Sequence, residues 1–149
     1  SSAESPKDVS DVDDLSELEG LDGIICGIPT WNTGADEERS GTAWDSILED
    51  IGELSLSGKK VAIFGLGDSS TYTENYCDAM EELHSYFQKA GADMVGYVDQ
   101  SAYTFEESKS IVGESFCGLP LDEDSESDLT DSRLEAWASQ LKNEIPSLA

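Results

Sequence analysis

The chain has 149 residues, enough for one domain that buries about two-thirds of its unfolded surface. Its 33 acidic against 8 basic residues give a formal charge of −25, a field that repels nucleic acid and anionic membranes and steers toward basic protein surfaces. Nothing approaches the roughly 18 apolar residues of a membrane span, and Cys26, Cys77 and Cys117 are too far apart for a C-x-x-C pair, which argues against a disulfide scaffold or zinc site and for packed thiols in a reducing compartment.

Residues 1–20 are polar, acidic and aperiodic, which predicts a tail with a short helical turn at 14–18, ahead of a domain over 21–149. There is no initiating Met and no apolar signal segment, so a chain processed after transit-peptide removal, or incomplete at its start, is expected. The apolar run from Leu21 to Cys26 predicts a buried strand over 23–27, leading into Gly27-Ile28-Pro29-Thr30-Trp31-Asn32-Thr33-Gly34. Trp44, Ile47, Leu48 and Ile51 hold the i, i+3, i+4, i+7 spacing of a short helix over 42–54. A second strand over 61–65 ends in Gly65-Leu66-Gly67-Asp68, soon followed by Tyr72.

The clearest helix is expected from residue 74 or 75 to 89, with Tyr76, Ala79, Met80, Leu83, Phe87 and Ala90 on one face and Gly91 as its stop. A third strand is expected over 94–98, then a polar excursion over 100–113, a short strand over 115–119 and an acidic loop over 122–131. Asp131 or Ser132 would cap a last helix running to about residue 145, with Leu134, Trp137, Ala138 and Leu141 inward. Strands alternating with helices predict an α/β fold, a parallel sheet covered by helices on both faces. In such sheets ligands bind beyond the carboxyl ends of the strands. Two neighbouring loops there each carry one aromatic, Trp31 and Tyr72, and two aromatics so placed can sandwich a flat ring.

His84 has no Asp, Ser or Cys partner at catalytic spacing, and no Ser-His-Asp set, metal cluster or Walker loop is present. Trp44 and Trp137 sit at core spacing. No catalytic residue is expected.

The stretch 27–34, the block Ile63-Phe64-Gly65-Leu66-Gly67-Asp68 and Tyr72-Thr73-Glu74-Asn75-Tyr76-Cys77-Asp78-Ala79 together resemble long-chain flavodoxins of algae and cyanobacteria. Residues 103–109, 118–124 and 127–133, with Trp137, carry the resemblance on, so that it covers nearly everything after about residue 8. It implies a flavodoxin-like three-layer sandwich, here the 3-4-5 strand half, with a long-chain insertion at about 99–121. It implies FMN as cofactor and a low-potential one-electron carrier replacing ferredoxin between photosystem I and a reductase, ferredoxin-NADP reductase, in plastid stroma or cyanobacterial cytoplasm.

In that resemblance Trp31 and Tyr72 stack on the two ring faces, and the peptide of Asn32, Thr33 and Gly34, with Thr30 before it, accepts a hydrogen bond from N5–H of one-electron-reduced flavin. Gly65, Leu66, Gly67 and Asp68 line the pyrimidine edge. Asn75, Tyr76 and Asp78 belong to the same set, with helix capping as their plainer role. Residues 122–128 reach ribityl hydroxyls or form a solvated loop.

The family's opening strand and Thr/Ser-rich phosphate loop have no counterpart in the first 20 residues. Three charge-assisted hydrogen bonds lost with such a loop would cost on the order of 5 kcal/mol, so weak FMN binding by this chain alone is expected. The strand over 23–27 would then be a sheet edge, apolar on both faces, which something must cover. The alternative expectation is therefore a flavodoxin-derived subunit without cofactor, docked in a larger photosynthetic assembly.

Overall fold

The structure, a computed structural model, describes residues 3–148; Ser1, Ser2 and Ala149, counted in the tail and domain expected above, lie outside the described residues. Three strand positions form the main sheet. Strand β1 (Gly23–Pro29) pairs in parallel along its whole length with β2 (Lys60–Leu66). The other edge of β2 is shared by two short strands, β3 (Asp93–Val95) beside its first half and β7 (Leu119–Leu121) beside its second. Between them the chain leaves the sheet and builds a small antiparallel one from β4 (Val98–Asp99), β5 (Ile111–Val112) and β6 (Ser115–Phe116).

Helices cover both faces. The short α1 (Leu48–Gly52) and the longer α2 (Ala79–Lys89) pack on the face built by Ile24, Cys26, Ile28, Val61 and Ile63. On the other face α3 (Thr130–Glu144) brings Trp137 and Leu141, with Ile145 just beyond, onto Ala62, Leu119 and Leu121. Among the described residues β1 pairs with β2 alone, so it is an edge. Its side chains alternate, with Ile24, Cys26 and Ile28 buried and Ile25 42% exposed.

Several elements depart from the expected bounds, each for a local reason. The helix expected over 42–54 is a 3-10 turn, Ala43–Ser46, followed by α1. The helix expected from residue 74 begins at Ala79, because Cys77 takes a left-handed φ of 53° and the Tyr76 N–H donates to Glu107 O instead of up the helix. The strand expected over 94–98 stops at Val95. Gly96 turns out of it at φ 79°, where its N–H donates to Glu144 Oε2 (2.8 Å) and its carbonyl accepts the Trp137 indole N–H (2.8 Å).

The strand expected over 115–119 is two strands, β6 and β7, belonging to different sheets. In α3, which begins at Thr130 with no side-chain cap, Leu134 and Ala138 face outward and only Trp137 and Leu141 are buried, a narrower apolar stripe than the sequence pattern suggested. Residues 9–20 form two 3-10 turns, Val9–Asp11 and Leu15–Gly20, and Leu15, Leu18 and Leu21 pack against the core.

Candidate functional site

The carboxyl ends of β1, β2 and β7 are stitched side by side. The Thr30 N–H donates to Leu66 O (3.1 Å), and the Gly67 N–H donates to Leu121 O (3.0 Å). The three loops that leave these strands therefore start from one line. The first, residues 30–41, runs out and back: the Trp31 N–H donates to Ser40 O and the Asn32 N–H to Arg39 O, with the Asn32 amide reaching Glu38 O. Its tip is open, since nothing lies within 4 Å of the place where a Gly34 Cβ would stand, and Gly34 itself adopts φ 85°. Trp31 is 76% exposed. Its indole presents a flat apolar face to solvent.

The second loop, residues 67–78, carries Tyr72, 49% exposed, behind Leu66, which is also exposed. It opens with a turn in which the Ser70 and Thr71 N–H groups donate to Asp68 Oδ1 and the Tyr72 N–H to Asp68 O. These bonds, the Thr71 N–H first, hold the Asp68 carboxyl below its ordinary 3.8. The third loop enters through Asp122, which is fully buried. Its carboxylate accepts the Ser69 N–H and hydroxyl (2.8 and 2.6 Å) and the N–H groups of Asp124 and Ser125 (3.0 and 2.7 Å). The Ser125 hydroxyl also donates to Asp68. Asp122 thus ties the second loop to the third instead of lying in a solvated acidic loop.

Of the expected site residues, Thr30, Trp31, Asn32, Thr33, Gly34, Leu66, Gly67, Asp68 and Tyr72 lie on this stitched edge. Thr30 also joins the first loop to a helix. Its hydroxyl accepts the Ala79 N–H (3.2 Å) at the start of α2, whose own Asp78 makes no cap bond. The Thr33 hydroxyl donates back to Thr30 O. Asn75 is half-buried near the excursion, beside Phe105 and Lys109.

The remaining three are turned inward. Gly65 gives its side-chain space to Met80, and Tyr76 is fully buried against Tyr103, Phe105 and Phe116. The Asp78 carboxylate accepts the Lys109 N–H (2.7 Å) and pairs with its ammonium group (3.9 Å). The Tyr76 and Asp78 side chains are thus committed to packing, and at Gly65 only backbone is left to face outward. Gly67 is likewise crowded by Cys77 and Tyr76.

Two anchors were not singled out as anchors in the sequence: Asp122, placed there only within the 122–128 loop, and Glu82, which accepts the backbone N–H groups of Glu38 and Arg39 behind the first loop. The available signal was Arg39 itself, the one basic residue between Lys7 and Lys59, set after Asp36-Glu37-Glu38.

Other chemistries find no support. Burial raises the Cys26 and Cys117 thiols to about 12 and pushes Cys77 up too, which keeps all three as thiols at neutral pH. Burial lowers the single His84 from 6.5, and its partner is the Tyr97 hydroxyl. Among the described residues no His, Cys, Asp or Glu group is arranged to hold a metal ion, and no helix is long and apolar enough to cross a membrane.

Comparison with known proteins gives one answer. The flavodoxin family model matches residues 2–137. The flavodoxin of Synechococcus elongatus is 41% identical over 124 residues, which are 83% of this chain and 71% of that protein. Flavodoxin 2 of Escherichia coli strain K12 is 38% identical over 126 residues, 83% of this chain and 70% of that protein. Among solved structures, Fusobacterium nucleatum flavodoxin bound to flavin mononucleotide superposes with a TM-score of 0.80 at 30% identity, over 88% of this chain and 76% of that one. Oxidised Flavodoxin 1 of Bacillus cereus gives 0.56 at 26% identity, over 89% and 73%.

Proposed function

This chain belongs to the flavodoxin family, and on that premise we propose that it carries electrons one at a time on FMN held at the stitched edge of β1, β2 and β7. It is an electron-transfer protein, not a catalytic enzyme. The observation that carries the reading is the pair of bare aromatics, Trp31 and Tyr72, delivered by adjacent loops to one edge. The donor set fits a flavin ring: two aromatic faces, an open backbone at 32–34, and the Leu66–Asp68 backbone between them.

FMN supplies the one-electron chemistry when bound; the chain supplies its surroundings. Trp31 and Tyr72 would cover the ring faces and keep water from them. The carbonyls of 32–34 would accept a hydrogen bond from the ring edge, and Gly34 lets that peptide turn. Loops 30–41 and 67–78 contain Asp36, Glu37, Glu38, Asp68, Glu74 and Asp78 against a single cation, Arg39, whose guanidinium is paired with Glu81. That field opposes added negative charge and lowers the potential at which the ring takes a second electron. The described residues are assigned the ring end of FMN; its phosphate end is not assigned to them.

The finer reading is a long-chain flavodoxin. It is supported by the excursion that interrupts the third strand position between β3 and β7, and by the cyanobacterial relatives. On this reading the acidic surface docks on basic patches of photosystem I and of ferredoxin-NADP reductase, in plastid stroma or cytoplasm, with on-rates that fall as salt rises. The deciding experiment is a visible absorption spectrum of the isolated chain, followed by denaturation to release and quantify FMN. Near-stoichiometric flavin supports the carrier; a chain without flavin that takes none up from excess FMN overturns it.

A further inference from the structure

The Trp31 loop is held from behind by a carboxylate that no ligand would touch. Glu82, on the first turns of α2 and only 8% exposed, accepts two successive backbone N–H groups, that of Glu38 on Oε2 (2.8 Å) and that of Arg39 on Oε1 (2.7 Å). Successive N–H groups turned toward one point form an anion-binding concavity, here filled by the protein's own carboxylate. Glu38 adopts φ 54°, a left-handed conformation that a non-glycine residue keeps only when its surroundings enforce it.

Arg39 completes the attachment. Its guanidinium donates to Asp78 O (3.2 Å), Glu81 Oε2 (2.8 Å) and Asp36 O (2.9 Å). The anchored arm, 38–40, is the strip onto which the outgoing arm is bonded, through Trp31 N–H to Ser40 O and Asn32 N–H to Arg39 O. The chain of hydrogen bonds is continuous from α2 through Glu82 to the backbone of Trp31 and Asn32. It stops short of the tip, where Gly34 has open space around it.

We propose that Glu82 is a positioning residue for the flavin site: its carboxylate fixes the Trp31–Asn32 arm against α2, confines movement to residues 33 and 34, and so sets FMN affinity and the separation of the two one-electron potentials without contacting the ligand. The inference rests on the assignment of the Trp31 loop as an FMN loop.

The test has two readouts on the full chain. Hydrogen exchange without added FMN compares the parent with Glu82→Ala and Glu82→Gln. Glu82→Ala removes both charge-assisted bonds and should speed exchange by about tenfold or more at residues 31, 32 and 38–40 while α3 is unchanged. Glu82→Gln should fall between, since its carbonyl oxygen accepts one N–H while its amide faces the other; it also serves if the Ala variant does not fold.

FMN titration and potentiometry then compare Glu82→Ala in the parent and in Trp31→Ala. FMN should bind about tenfold more weakly in the parent background, with a changed separation of potentials, and the effect should shrink toward none once Trp31 is gone. Uniform acceleration of exchange, unchanged affinity and potentials in a loosened loop, or an undiminished effect without Trp31 would each overturn the proposal. A parent chain that takes up no FMN overturns the site reading and the ligand part of this one together. The exchange pattern still decides separately whether Glu82 holds the arm.

Discussion

Two loops leave neighbouring strands at the same edge, each presenting one bare aromatic, yet they are held in opposite ways. The Trp31 loop is fastened near its two ends, Thr30 accepting the Ala79 N–H, Glu82 the Glu38 and Arg39 N–H groups and Asp45 the Ser40 hydroxyl and Gly41 N–H, while a side chain at its Gly34 tip would meet nothing. The Tyr72 loop is fastened along its length. Asp122 grips it at Ser69, Thr73 O accepts the N–H groups of Glu106 and Glu107, the Tyr76 N–H donates to Glu107 O, and Asp78 takes Lys109. One loop is a hinged flap and the other a wall. A site that must accommodate two charge states of a ligand gains from that division, because one face can adjust while the other keeps the ring in register.

The largest test of the contrast is Asp122→Ala. Four donors converge on that buried carboxylate, and stranding them should cost about 3 kcal/mol of unfolding free energy in urea, with Asp122→Asn losing less. A loss under about 0.5 kcal/mol, the range of ordinary surface changes, would mean that the wall does not depend on it.

Next come the aromatics. Trp31→Ala and Tyr72→Ala should each weaken FMN binding by about 1–3 kcal/mol, the scale of aromatic stacking on a base, and raise the lower one-electron potential or release flavin. Both side chains are exposed, so unfolding free energy should barely move. Unchanged flavin content and potentials in both variants would remove the site assignment.

Smaller still is Gly34→Ala. A Cβ there meets no neighbour, so its cost is backbone strain alone, about 1 kcal/mol at φ 85°, read as a shift in the urea midpoint and as a changed separation of potentials. An equal change in potentials from an alanine at Ser70, on the fixed loop, would erase the distinction between flap and wall.

The smallest effect tests the frame rather than either loop. Burial holds the His84 ring below 6.5, so the unfolded chain binds its proton first. Its stability contribution is full above pH 6.5 and is lost as pH falls through that value toward the folded pKa. His84→Gln should flatten this slope in urea unfolding across that window while leaving FMN affinity alone. The chain has no second histidine to blur the comparison.

Much of this frame was legible. The apolar runs at 23–27 and 61–65 lie inside β1 and β2, and every apolar position named for the α2 face, from Tyr76 to Ala90, is buried. What misled was burial by distant partners. Tyr76 keeps helical period yet precedes the helix, because it is buried by the excursion's Tyr103, Phe105 and Phe116. Gly96 ends a strand only because Trp137 and Glu144, far along the chain, bond its backbone. The two anchoring carboxylates were hidden by abundance. With 33 acidic residues, nothing local marks Glu82 and Asp122 as the ones that turn inward.

The broken third strand is also a splice site. Val95 sits opposite Ala62 and Leu119 opposite Phe64, so a single residue facing Ile63 would close the gap, and Gly118 already stands against the Ile63 carbonyl with no room for a side chain. Joining Val95 directly to Gly118 would leave every pairing of the main sheet in place and give one uninterrupted strand. The excised piece would take with it Tyr103, Phe105 and Phe116, stripping the cover from Tyr76. Shortening the chain is thus free for the sheet and expensive for the core, and a viable short version needs a polar residue where Tyr76 now stands.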